Sequence, residues 1–151
     1  MHTIKQAFVT FVGSIFLVAA GSALAQETPA AAPAGVKLVE AKAVQDLQAK
    51  GAVLIDTRKA SEFSEATIKG AISVPYDPEK SAKDANFNAA EDKYDMGKIA
   101  DKNKDYVVFC NSGTCWKSYK AAVVMAKAGY KNVHWYRNGV PDWKARKLPM
   151  E

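Results

Sequence analysis

The chain has 151 residues, 21 Lys and Arg against 16 Asp and Glu, a formal net charge of +5, and only two cysteines. That length suits one ordinary domain, and two cysteines are too few for a disulfide-dense scaffold. Acidic residues are interleaved with the basic ones and no arginine-rich run occurs, so the composition speaks against a nucleic-acid-binding protein and supports at most a mild attraction for small anions.

The first 25 residues read as a secretory signal. Lys5 supplies the positive end, Ala7 to Ala20 form an apolar core interrupted by Gly13 and Ser14, and Ala23-Leu24-Ala25 has the small-x-small pattern of a cleavage site. The apolar stretch is short for a bilayer span, which needs about 20 residues. The expectation is an exported protein, periplasmic if the signal is bacterial, with no stable membrane insertion after cleavage. Removing 25 of the 151 residues leaves 126, with 20 basic and 16 acidic side chains.

Gln26 to Gly35 is rich in alanine and proline and has no apolar period, which predicts a disordered linker ahead of a domain spanning 36–151. Val36 to Val39 reads as a short strand, and Ala41 to Lys50, with Val44 and Leu47 at helical spacing, as a helix stopped by Gly51. Ala52 to Ile55 is a continuous apolar run, as expected of a strand covered on both faces. A short helix over Lys59–Ala66 and a short strand over Gly70–Val74 follow, the latter closed by Pro75. Pro78 to Glu91 is a polar excursion without a period, and Tyr94 to Ala100 fits one or two helical turns. The strongest unit is a strand over Tyr106–Phe109, a cysteine loop, and a helix from Trp116 to Ala128 stopped by Gly129. Asn132 to Tyr136 reads as a strand and Val140 to Arg146 as a last helix. Strands alternating with helices predict an α/β fold, an open parallel sheet flanked by helices on both faces, with ligands bound beyond the carboxyl ends of the strands.

Cys110 falls at such an end, which favours it over Cys115 as the reactive thiol. The turn-forming run Asn111, Ser112, Gly113 and Thr114 can surround an anion with backbone N–H groups, and Gly113 can take positive φ without steric cost. A thiolate is favoured where a helix begins. Lys117 and Lys120 lie just beyond and can attract an anionic sulfur donor; the alternative is a solvated helix face, which suits Lys120 better. Trp116 either walls the loop or packs. Asp56 and Arg58, just past a strand end, either support the loop or form a structural ion pair. Trp143 is expected to pack the last helix against the body. His134 and His2 are the only histidines, so no metal cluster is supported, and neither a dinucleotide fingerprint nor a phosphate loop calls for a cofactor.

Three jobs are open to the Cys110 thiolate: carrying a sulfane sulfur, exchanging disulfides with Cys115, or attacking phosphate esters. Cysteine phosphatases need an arginine six positions after the nucleophile to clamp phosphate, and Trp116 stands there. The pair itself can be a permanent bridge, a nucleophile with a resolving thiol, or one working thiol beside an inert one.

The run Val53-Leu54-Ile55-Asp56-Thr57-Arg58, then Glu62-Phe63, then Ile68-Lys69-Gly70-Ala71-Ile72-Ser73-Val74-Pro75 resembles the first half of a rhodanese domain. Val107-Val108-Phe109-Cys110-Asn111-Ser112-Gly113, Ala121-Ala122, Ala128-Gly129-Tyr130, Asn132-Val133 and Gly139 through Trp143 resemble its second half. Thr67 stands where rhodaneses often have histidine, and the span from Cys110 to Gly129 is a couple of residues longer than usual, around Thr114-Cys115-Trp116. This C-x4-C-W arrangement is similar to that of exported rhodanese-like proteins with a second cysteine. The resemblance implies a single-domain rhodanese fold and a sulfurtransferase in which Cys110 carries a persulfide between a donor such as thiosulfate, a polysulfide or another persulfide and an acceptor that is cyanide or a thiol, small or protein-borne. The alternatives are a thiol–disulfide oxidoreductase using Cys110 and Cys115 and a non-catalytic module that binds sulfur species.

Overall fold

A computed structural model describes residues 25–151, so the expected signal segment lies outside the described residues except for Ala25. Five strands, β1 (Val36–Leu38), β2 (Val53–Asp56), β3 (Ile72–Ser73), β4 (Asp105–Phe109) and β5 (Asn132–Tyr136), form one sheet in the order β1-β5-β4-β2-β3. Every pairing is parallel, with Asp56 opposite Phe109 and Phe109 opposite Tyr136. Three helices connect strands, α1 (Ala41–Ala49), α2 (Ala60–Glu65) and α3 (Trp116–Lys127), and α4 (Gly139–Ala145) follows β5. Among the described residues no helix is long and apolar enough to cross a membrane.

The alternation of β4 assigns its side chains to two cores. Tyr106 and Val108 face α3 with Trp116, Tyr119, Ala122 and Met125, whereas Val107 and Phe109 face Ala41 and Val44 of α1 and Val140 and Trp143 of α4. Both faces of the central strands are thus covered, the physical reason they read as unbroken apolar runs. Trp143 packs edge-on to Tyr136 and donates to the Pro149 carbonyl at 2.8 Å, holding α4 to the body as expected. β3 is only two residues of the five expected over Gly70–Val74, and the turn expected over Tyr94–Ala100 narrows to a 3-10 turn at Gly97–Ile99.

The chain leaves β2 toward β3 on one side and leaves β4 toward β5 on the other, so the switch point of the sheet lies between the carboxyl ends of β2 and β4. Asp56, Thr57 and Arg58 sit at the first of these ends and Cys110 at the second.

Two parts of the chain depart from expectation. Gln26–Gly35 is not a free tether: Thr28 is only 3% exposed, and its backbone N–H and its hydroxyl both donate to the Gly113 carbonyl at 2.7 Å. Polar groups of this stretch find partners on the cysteine loop, a source of order that composition does not reveal. The second departure is Lys120, which is 0% exposed rather than on a solvated face. The excursion after β3 folds over α3 and meets this ammonium with Glu79 at 2.9 Å, the Ser81 hydroxyl at 2.9 Å and the Phe87 ring.

Asp92 ties that excursion together. It accepts from the Tyr76 hydroxyl at 2.8 Å, from the Lys80 N–H at 2.6 Å and from the Ser81 N–H at 2.7 Å. Burial opposes its ionisation, but the bonds from Ser81, Tyr76 and Lys80 outweigh burial and lower the carboxyl from 3.8 to about 2. The unfolded chain therefore binds this proton more readily. The resulting stability is complete above about pH 4 and is lost as pH falls toward 2. Asp92→Asn should remove that part of the acid-unfolding slope, measured as urea stability between pH 5 and about 2; an unchanged slope would show that Asp92 contributes nothing.

Candidate active site

Cys110 leaves the end of β4 and is bonded to Cys115 as a disulfide, with the Cα atoms 6.2 Å apart. The five-residue spacing closes a small loop containing Asn111, Ser112, Gly113 and Thr114. Inside it the Cys115 N–H donates to the Ser112 carbonyl at 3.0 Å, and the Ser112 and Thr114 hydroxyls are 3.0 Å apart. Cys115 is also the N-cap of α3, and no side chain caps that helix. The first N–H groups of α3 and the positive end of its dipole thus lie beside the cysteine pair without a competing side-chain acceptor.

The two sulfurs are not equivalent. Cys110 is 1% exposed, beneath the loop, whereas Cys115 is half-buried. A thiolate from outside has the better approach to Cys115, and exchange there releases Cys110 as thiolate.

The β2 end supports the loop from one side. Arg58 binds Asp56 through Nε and Nη2, with the shortest contact at 2.6 Å, and Thr67 donates to the same carboxylate at 2.8 Å. The same guanidinium reaches the Asn111 side-chain Oδ1 from Nη1 at 3.5 Å, and the Asn111 side-chain amide donates to Glu62 at 2.8 Å. Asp56 and Arg58 are therefore a buried ion pair and a prop for the loop together. Thr57 donates to the Phe109 carbonyl at 2.8 Å, fixing the strand end immediately before Cys110.

The opposite side is held by residues that sequence reasoning missed. Arg137, just past β5, donates from Nε to the Thr28 hydroxyl at 3.1 Å and from Nη2 to the Thr28 carbonyl at 3.0 Å. Its guanidinium lies against Gly113, where a Cβ would come within 2.7 Å of Cζ. Gly113 does not have positive φ, and a Cβ there would require the end of the Arg137 side chain to shift. Gly139 has φ of 60°, and the Val140 N–H donates to the Cys110 carbonyl at 3.0 Å. Arg137 was findable: it follows the carboxyl end of β5 just as Cys110 follows that of its neighbour β4.

Two expected members of the loop face elsewhere. Lys117 donates to the Tyr76 carbonyl at 2.8 Å and pairs with Asp77 and Glu79, so its ammonium anchors the excursion. Trp116 packs edge-on to Tyr119 in the α3 core, while its indole N–H donates to the Gln26 carbonyl at 2.9 Å. It both packs and holds the N-terminal strap over the loop. His134 pairs with Asp105 at the far end of the sheet, away from the cysteines.

Comparison with known proteins agrees with this layout. The chain is 29% identical over 105 residues to a thiosulfate sulfurtransferase of Actinobacillus succinogenes, covering 70% of this chain and 80% of that one. It is 29% identical over 94 residues to a putative mitochondrial thiosulfate sulfurtransferase of Schizosaccharomyces pombe, covering 62% and 64% of the two chains. A crystal structure of a Lactobacillus plantarum protein superposes with a TM-score of 0.56 at 29% identity, over 76% of this chain and 87% of that one. Residues 40–146 match the rhodanese-like domain family, a range that holds β2 to β5, the Asp56–Arg58 prop and both cysteines. With a parallel five-stranded sheet and a cysteine loop at its switch point, this chain belongs to the rhodanese-like domain family.

Proposed function

We propose that the protein is a sulfurtransferase in which Cys110 takes a sulfane sulfur from a donor such as thiosulfate or a polysulfide and passes it to a thiol or to cyanide. The observation that carries this reading is the position of Cys110 at the carboxyl end of β4, at the switch point of the sheet and beside the uncapped start of α3. Reduction of the disulfide frees the thiolate. It attacks the outer sulfur of thiosulfate, sulfite departs with the bonding electrons, and the Cys110 persulfide anion is stabilised by the N–H groups around the loop. An acceptor thiolate or cyanide then takes the outer sulfur and returns the Cys110 thiolate. Reduced protein should form thiocyanate from thiosulfate and cyanide, and Cys110→Ser should fall to background; turnover surviving in that variant would refute the assignment. The signal-like N-terminus supports export to the periplasm, tested by finding the processed chain in the periplasmic fraction.

The bonded cysteine pair favours a second reading, a thiol–disulfide oxidoreductase. It requires that oxidised protein pass its disulfide to a substrate dithiol at a rate that Cys115→Ser abolishes, whether or not thiosulfate is present. A non-catalytic module would show neither activity.

A further inference from the structure

We propose that the protein also reduces sulfane sulfur to sulfide, with Cys115 as the electron donor for the persulfide on Cys110. This rests on the sulfurtransferase reading above and adds an internal second step. Cys115 Sγ attacks Cys110 Sγ, the bond between Cys110 and the outer sulfur breaks, and the outer sulfur leaves as hydrosulfide with the bonding electron pair. The outer sulfur is reduced by two electrons, and the two cysteine sulfurs are oxidised to the disulfide. The Cys115 proton goes to solvent or to the departing hydrosulfide. A dithiol, small or protein-borne, reduces the disulfide and completes the cycle.

Three observations support this step. Cys115 already reaches Cys110 Sγ itself, because the two are bonded across the loop. Cys115 is the N-cap of α3 with no side-chain cap beside it, a position that favours thiolate. The loop is also held from outside by Thr28 on the Gly113 carbonyl and by Arg137 on Thr28, so Cys115 stays next to a sulfur that is only 1% exposed. An internal thiol has a high effective concentration there, while an acceptor from solvent must reach past the loop. The reducing dithiol meets the more accessible Cys115 first and expels Cys110 as thiolate, ready for the next donor.

The test is a single turnover of the purified protein, reduced with dithiothreitol, desalted without air and mixed with excess thiosulfate. Wild type should release about one sulfide per chain and lose about 2 Da as the disulfide forms. Cys115→Ser should instead hold an adduct of about 32 Da on Cys110 and release at least tenfold less sulfide. Wild type that keeps the adduct without releasing sulfide, or a Cys115→Ser variant that releases sulfide as fast as wild type, would overturn the reduction step while leaving sulfur transfer standing. Absence of any adduct in Cys115→Ser would overturn both.

Discussion

Asp56→Ala should cost about 3–5 kcal/mol of stability, the range for a buried ion pair broken by removal of one partner. Asp56 is 0% exposed and Arg58 5%. The carboxylate accepts from the Arg58 N–H at 2.9 Å, from its guanidinium and from the Thr67 hydroxyl. Without it the guanidinium keeps the Ala66 carbonyl at 2.7 Å and the long contact to Asn111, and its charge has no buried counter-ion. The cost extends beyond the pair, because Arg58 and Glu62 together hold Asn111, the first residue after Cys110. Urea unfolding should show a lower midpoint at unchanged slope, and Asp56→Asn, which keeps the shape without the charge, should fall between the two. A midpoint equal to wild type in Asp56→Ala would show that the pair neither stabilises the sheet end nor props the loop.

The second large effect is expected at Gly139, which opens α4 in the left-handed region with φ of 60°. A Cβ there would be driven into the carbonyl of Cys110, which is backbone and cannot rotate away. The left-handed backbone alone costs about 1–2 kcal/mol for a residue with a Cβ. Relief of the clash must also move Cys110 or the Val140 N–H that donates to it. Displacing a reacting atom by about 1 Å can lower a rate about 10²-fold, so Gly139→Ala should reduce sulfur transfer by roughly that factor. It should do so at temperatures where circular dichroism still reports a folded protein. Full activity in the folded variant would mean that the Cys110 carbonyl is not held by the start of α4.

How far the sequence announces these features depends on whether the cause is local. The central strands are legible because a parallel sheet covered on both faces needs unbroken apolar runs, and Val53–Ile55 and Tyr106–Phe109 are such runs. Helix ends are legible too: Gly51 and Gly129 have φ of 96° and 90°, the backbone an ordinary side chain avoids. Cys110 is legible because a strand end followed by turn residues and a helix is itself a local pattern.

What escaped the sequence is tertiary in origin. Lys117 and Lys120 look like an exposed, basic helix start until the aperiodic excursion folds across them with Glu79, Ser81 and Phe87. Gln26 and Thr28 look like part of an alanine- and proline-rich tether, and only the carbonyl of Gly113 and the side chains of Trp116 and Arg137 give them a place. The approach of Arg137 to Gly113 likewise comes from another strand end, which no local propensity encodes.

The most direct test of sulfur transfer through Cys110 is the intact mass of reduced Cys115→Ser after thiosulfate, followed by peptide fragmentation to place the added sulfur. The expected result is one adduct of about 32 Da, located on Cys110 and removed by cyanide. No adduct, or an adduct on any other residue, would contradict the assignment of Cys110 as the sulfur carrier.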